Sequence, residues 1–244
     1  MAGEKRRLDV ELTARALAPT RSQAESWIRL GRVRVDGRVV SKPGTFVASD
    51  TTITLDAPEQ YVSRAGLKLA SVAVALKLDF IDKTVLDVGS STGGFTDYAL
   101  QHGARKVIAV DVGTDQLHPS LRGDVRIELH EKTDIRGFVP PEVPDIVVID
   151  VSFVSLQQIL PDVAKMSGKS TQIVAMVKPQ FEAARSQITS GGIVKNDRVR
   201  RGILKDFESW AKQKFIIVDK ADSEIAGAHG NRERFYLLRK VVTT

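Results

Sequence analysis

The chain has 244 residues, 42% hydrophobic and 27% charged, with a formal net charge of +6. That length accommodates one large domain, or a small one joined to a medium one, with a buried core. The absence of cysteine excludes disulfides and thiolate–metal sites. No apolar run approaches a bilayer span and no signal-peptide pattern follows Met1, so a cytoplasmic protein is expected.

The positive charge is concentrated at the start, where residues 1–45 hold ten Lys/Arg against five Asp/Glu. Leu8, Leu12, Ala16 and Leu17 recur at helical spacing. A second helix is expected from Ser22, with Glu25 as its capping-box partner, Ala24, Trp27 and Ile28 on its apolar face, and Gly31 closing it. Residues 32–40 alternate Val and Arg around Asp36-Gly37, which predicts a tight hairpin with one apolar and one cationic face. A further short strand is expected over 52–55. Arg29, Arg32, Arg34, Arg38 and Lys42 gather at the helix–hairpin junction and, with Arg6 and Arg21, form a candidate track for a phosphate backbone. The alternative is an ordinary solvated surface. The helix–helix–hairpin order resembles the small RNA-binding module first seen in a ribosomal small-subunit protein. Ala57-Pro58-Glu59-Gln60 reads as a linker, which sets the expected domains at 1–58 and 61–244.

From Tyr61 onward short apolar strands alternate with helices, the pattern of an open, Rossmann-like α/β sheet. Strands are predicted over 84–88, 106–110, 145–149, 172–177, 215–218 and 235–238, and helices over 63–78, 95–101, 153–166 and 197–214. A glycine-rich turn, Asp87-Val88-Gly89-Ser90-Ser91-Thr92-Gly93-Gly94-Phe95, joins the first strand to its helix. Such a turn lets a ligand approach the backbone at the carboxyl edge of the sheet. Its spacing is not that of a dinucleotide fingerprint, and Asp87 would repel a pyrophosphate. The acid suits a cofactor carrying an ammonium and a sulfonium, with Gly89, Ser91, Gly93, Gly94 and Phe95 shaping the turn. Twenty-four residues on, Asp111 ends the second strand, where an acid accepts ribose hydroxyls; Asp134 is a candidate for the adenine amine. Turn and acid together favour S-adenosylmethionine over a nicotinamide cofactor.

Two more motifs fall at strand ends, Ile149-Asp150-Val151-Ser152-Phe153 and Val177-Lys178-Pro179-Gln180-Phe181-Glu182. A lysine ending an apolar strand is costly unless paired or used, and Asp150 is its available partner. Taken singly, each reads equally well as a structural ion pair. With Tyr61-Val62-Ser63-Arg64-Ala65-Gly66-Leu67-Lys68-Leu69 before them and Gly230-Asn231-Arg232-Glu233 after, the ordered set resembles the TlyA, or hemolysin A, family: an RNA-binding module fused to an FtsJ-like methyltransferase.

The resemblance implies methyl transfer from S-adenosylmethionine to the 2′-hydroxyl of a cytidine in ribosomal RNA, free or in ribosomal subunits, with no membrane involved. It places a Lys–Asp–Lys–Glu tetrad at Lys68, Asp150, Lys178 and Glu233, although Arg234 stands where the family's apolar strand is expected to begin. Lys178 is the candidate base, or the cation that orients the hydroxyl. His102, His118, His130 and His229 lack ligand spacing, so no metal is expected. The competing readings are a membrane-lytic protein, a non-catalytic ribosome-assembly factor, and a methyltransferase acting on protein or a small molecule.

Overall fold

The computed structural model describes residues 5–18, 20–29, 31–55, 61–227 and 230–241; the linker residues 57–60 and His229 lie outside them. The chain divides into two compact units, Met1–Arg64 and Ala65–Thr244.

The first unit contains β1 (Lys5–Arg7), α1 (Leu8–Ala14), α2 (Arg21–Arg29), β2 (Val33–Val35), β3 (Arg38–Val39), β4 (Phe46–Ala48) and β5 (Ile53–Leu55). Leu8, Leu12, Ala24, Trp27 and Ile28 are buried, so the two apolar helix faces form its core. β3-β2-β5 form one small sheet and β1–β4 a ribbon. The cap of α2 is Thr20 rather than Ser22: its Oγ1 accepts from the Gln23 amide at 3.2 Å. Glu25 instead lies 3.7 Å from Arg21. Gly31, at φ +69°, ends α2 as expected.

Asp36 and Gly37 both take positive φ, 49° and 77°, as a two-residue hairpin turn of type I′ requires. That turn also fixes the register, pairing Val35 with Arg38 and Arg34 with Val39. Directly opposed residues share a face. Arg38 therefore joins Val33 and Val35, while Val39, 51% exposed, joins Arg32 and Arg34. The expected apolar and cationic faces are corrected to two mixed ones, because the Val/Arg alternation is out of phase between the arms.

Asp9 is fully buried and accepts from Arg7 Nε and Nη2 at 3.0 and 2.9 Å and from Arg21 Nε at 2.9 Å. Burial alone would raise its pKa, but the two guanidiniums hold it at about 2.

The second unit contains α3 (Arg64–Ala73, opening on the last residue of the first unit), β6 (Thr84–Val88), α4 (Gly94–Gln101), β7 (Lys106–Val110), β8 (Ile127–His130), β9 (Ile146–Ile149), α5 (Leu156–Met166), β10 (Gln172–Val177), α6 (Pro179–Glu182), α7 (Asp197–Ala211), β11 (Phe215–Asp222) and β12 (Arg234–Lys240). Seven strands form one sheet in the order β11-β12-β10-β9-β6-β7-β8. The run from β10 to β8 is parallel, and β12 is antiparallel to both neighbours. This is the α/β, Rossmann-like class read from the sequence. Every residue of β6 and β9 is buried, which is why both strands read as apolar runs.

The unpredicted β8 is a short edge strand whose Ile-Glu-Leu-His alternation carries only half the apolar signal of a central strand. α5 starts at Leu156 rather than 153 because Phe153 sits at φ +65° and Ser155 caps the helix. α3 ends at Ala73, where Lys77 at φ +52° lets the Leu78 amide return to the Ala73 carbonyl. Strand order reverses around β6, with β7 on one side and β9 on the other, which opens a crevice beyond its carboxyl end. Among the described residues no helix is long and apolar enough to cross a membrane.

The lowered pKa of Asp9 makes the first unit acid-sensitive. Its stabilisation is fully present above the unfolded carboxyl pKa of about 4 and is lost as pH falls toward 2. Asp9→Asn should therefore cost about 2 kcal/mol at pH 7, with the gap to wild type closing below pH ~3. Hydrogen exchange of the α1 and α2 amides across that range is the measurement.

Candidate active site

The turn after β6 passes directly against the end of β9. A Cβ at Gly89, which has φ +80°, would lie 2.8 Å from the Asp150 carbonyl oxygen. Only glycine combines that backbone with that approach. Gly93 is constrained chiefly by its φ of +93°, its Cβ meeting the terminal methyls of Leu121 and Leu117 at 2.6 and 2.7 Å. Phe95 is buried behind the turn, its ring 6.1 Å from that of Phe235.

A cavity of about 520 Å³ opens beyond these strand ends, within the usual range for a small-molecule site. Gly89, Ser91, Asp111, Asp134 and Asp150 line it, together with apolar walls from Val110, Val112, Ile135 and Val151. Asp111 is fixed by the Ser91 and Gly113 amides, which donate to separate carboxylate oxygens at 2.8 and 2.7 Å. A carboxylate has about four lone-pair sites, so both oxygens remain able to accept from vicinal hydroxyls. Ser91 Oγ donates to Gln116 Oε1 at 3.0 Å, which brings into the cavity a side chain the sequence did not single out. Asp134 is held by the Arg136 guanidinium at 2.6–3.1 Å, and its pKa is lowered by those bonds.

Asp87, Gly93, Gly94 and Phe95 are not on the cavity wall; they form the support beneath it. Asp87 is buried, accepts from Thr96 Oγ1 at 2.6 Å through Oδ2, and leaves Oδ1 without a hydrogen-bond partner. Burial raises its pKa to about 7, against the Thr96 hydrogen bond, and Asp150 and Asp111 push in the same direction as burial. An orphaned buried carboxylate oxygen beside two more acids favours a cation held in the adjoining cavity. Apolar walls, a diol-accepting acid and this cation-seeking acid together match the chemistry of an adenosyl sulfonium cofactor.

Beside the cavity the four tetrad candidates form two ion pairs, Lys68–Glu233 buried and Lys178–Asp150 half-buried. Lys68 Nζ lies 2.6 Å from Glu233 Oε2, and Lys178 Nζ lies 2.6 Å from Asp150 Oδ1. They come from α3, β12's leading loop and the ends of β10 and β9. Burial raises the pKa of Glu233; Lys68 opposes this, and the charges of Asp150 and Lys178 also reach it. The two pairs are therefore one electrostatic cluster. Lys178 also donates to Ser152 Oγ at 2.8 Å and lies 5.8 Å from the centre of the Phe181 ring. Phe153, 91% exposed, has its ring 5.1 Å from Phe181. Ser152, Phe153 and Phe181 are additions to the sequence-derived set; the signal for them was their place inside the two strand-end motifs.

Glu233 is seated by backbone. A Cβ at Gly227 would collide with its carboxylate, reaching Cδ at 2.7 Å. Arg234, the residue out of place in the family pattern, opens β12 and binds Asp222 through Nε and Nη2 at 2.7 and 2.9 Å. Arg200 reaches the same carboxylate at 2.6 Å and the Arg232 carbonyl at 2.9 Å. The Arg234 bond, with that of Arg200, holds Asp222 at about 2 against burial. The chain on both sides of Glu233 is pinned as a result.

In the first unit Arg6, Arg29, Arg32, Arg38 and Lys42 are exposed and Arg34 is half-buried. Arg21 is 55% exposed although bound to Asp9. The hairpin register sends Arg38 to the opposite face from Arg32 and Arg34. Phe46, 65% exposed and cross-strand from Arg7, is an aromatic the sequence reading did not include.

Residues 61–240 match the FtsJ-like methyltransferase family and residues 6–53 the S4 domain. The chain thus belongs to the FtsJ-like methyltransferases and carries an S4 domain ahead of the catalytic fold. Within that class it belongs to the TlyA/hemolysin A family. It is 38% identical over 239 residues to the 16S/23S rRNA (cytidine-2′-O)-methyltransferase TlyA of Mycobacterium tuberculosis, covering 96% of this chain and 89% of that one. It is 37% identical over 232 residues to the Hemolysin A of Brachyspira hyodysenteriae, covering 93% and 97%. The solved structure of a Streptococcus thermophilus protein carrying the hemolysin name is 39% identical, with a TM-score of 0.73 over 99% of this chain and 90% of that one.

The raised pKa of Asp87 has a stability signature. The folded state binds this proton more tightly than the unfolded chain, so stability is full below pH ~4 and is lost as pH rises through about 7. Asp87→Asn should remove this loss, worth about 4 kcal/mol between pH ~4 and ~8. Denaturant melts of wild type and variant without added ligand measure it.

Proposed function

We propose that this protein transfers a methyl group from S-adenosylmethionine to a ribose 2′-hydroxyl of ribosomal RNA, with cytidine as the modified nucleoside. The observation that carries the reading is the adjoining ion pairs, buried Lys68–Glu233 and half-buried Lys178–Asp150, at a cavity with adenosyl-binding chemistry. The family relatives named for rRNA cytidine-2′-O-methylation support the same reaction, and the S4 domain with its exposed arginines supports an RNA substrate.

In this reading Asp111 accepts the ribose hydroxyls of the cofactor, and Val112 and Ile135 flank its base. Asp134 accepts from the adenine amine, and Asp87 stabilises the cationic end. The bound cofactor supplies an electrophilic methyl group on a sulfonium. Lys178 holds the acceptor hydroxyl in line and either takes its proton or stabilises the charge that develops on its oxygen. Positioning of this kind supplies much of the acceleration in group transfer. Asp150 and Ser152 fix the Lys178 ammonium. Lys68 adds a second positive charge to the cluster, and Glu233 balances it. Exposed Phe153 offers a flat apolar face for an unstacked base next to that hydroxyl. The S4 domain supplies affinity through Arg6, Arg21, Arg29, Arg32, Arg34, Arg38 and Lys42. Such a protein works where ribosomes are, in the cytoplasm.

Labelled S-adenosylmethionine and ribosomal subunits from a strain lacking this gene test the reading. Wild type should label the RNA. Lys178→Ala should lose at least ~10³-fold in turnover with an unchanged cofactor Kd by calorimetry, whereas Asp111→Ala should lose cofactor binding itself. Full turnover by Lys178→Ala would overturn the assignment.

A further inference from the structure

Glu182 is a half-buried carboxylate that the proposed chemistry does not use. It stands four residues after Lys178, at the end of α6, yet its partners lie on another loop. Oε2 accepts from Ser155 Oγ at 2.5 Å and Oε1 from the Leu156 amide at 2.7 Å. Ser155 is the N-cap of α5, and its Oγ accepts from the Gln157 amide at 3.1 Å. Glu182 thus extends the cap of α5 from a distance of 26 residues, placing a carboxylate where the first helical amides point outward.

The loop so anchored carries the site. Asp150 and Ser152 begin it, Phe153 takes φ +65° within it, and Ser155 ends it. Lys178 binds its first half through Asp150 and Ser152. Glu182 binds its second half. The segment is therefore clamped at two points by one short stretch, and Phe153 lies between the clamps with its ring against Phe181. A bulky residue at positive φ is strained and persists only where its surroundings over-determine it. Removing one clamp leaves that conformation held at one end.

We infer that Glu182 is a positioning residue for methyl transfer, fixing the Ser152–Phe153 segment against Lys178 through its bonds to Ser155 and Leu156. It touches neither cofactor nor acceptor. Its influence on the reaction is the placement of the residues that do, so the inference rests on the proposed methyl-transfer reading. A carboxamide retains an acceptor for the Leu156 amide and a donor toward Ser155 Oγ, whereas alanine retains neither.

The test compares wild type, Glu182→Gln and Glu182→Ala in three readouts: hydrogen exchange of the 152–157 amides, calorimetric Kd for S-adenosylmethionine, and kcat on ribosomal subunits. Glu182→Ala should expose the Leu156 and Gln157 amides, lower kcat about 100-fold and leave the cofactor Kd within about threefold. Glu182→Gln should restore both protection and kcat to within about fivefold of wild type. The inference is overturned if the alanine variant keeps its kcat. It is also overturned if that variant's exchange rises throughout the second unit, or if the glutamine variant is as slow as alanine despite restored protection. If wild type fails to label RNA, the functional reading fails, while the exchange data still report whether the clamp exists.

Discussion

Four ionisable side chains from separate parts of the chain are packed at the carboxyl edge of one sheet, and the structure around them follows from that constraint. A lysine largely withdrawn from water is stable there only with a carboxylate at contact distance, and buried Lys68 and half-buried Lys178 each have one at 2.6 Å. Such pairs contribute little net stability, because desolvation offsets most of the attraction, while breaking one leaves an uncompensated charge. The strand ends must consequently hold their positions closely. Gly89 allows the β6 turn to touch the Asp150 backbone, and Gly227 leaves room for the Glu233 carboxylate. The Arg200–Asp222–Arg234 network fixes the chain beside Glu233.

The acids divide into two kinds by environment. Asp9 and Asp222 are surrounded by guanidiniums and held near 2, so they act as permanent anions that brace backbone. Asp87 has one hydroxyl donor and no cation, and burial raises it to about 7. Its negative form gains most from a cation held in the cavity above it. The same side-chain type thus serves as brace in two places and as prepared receptor in the third, and the neighbours decide which.

Much of this was legible in the chain. The central strands β6, β9 and β10 are nearly continuous apolar runs, and the motifs at their ends fell where chemistry on an open α/β sheet is carried. The Asp36-Gly37 turn was readable to the residue because a type I′ hairpin needs positive φ at both central positions, which Asp-Gly tolerates. What it did to the faces was not readable from composition, since a one-residue change of phase exchanges them. β8 was missed because edge strands need fewer apolar residues. Phe153 and Glu182 lie inside the strand-end motifs, but their partners are 26 residues or more away, and Gly227 acts through space left empty, so no local pattern encodes those contacts. Arg234 seemed an interruption of β12 until its partner Asp222 came from the neighbouring strand.

Under the proposed function the Lys178–Asp150 pair faces a ribose hydroxyl rather than a base. The most direct measurement is alkaline hydrolysis of RNA methylated with labelled cofactor by the wild-type protein. A 2′-O-methyl group blocks cleavage of the adjoining phosphodiester, so the label is expected to emerge in an alkali-resistant dinucleotide. Label recovered in mononucleotides would place the methyl on a base and contradict it.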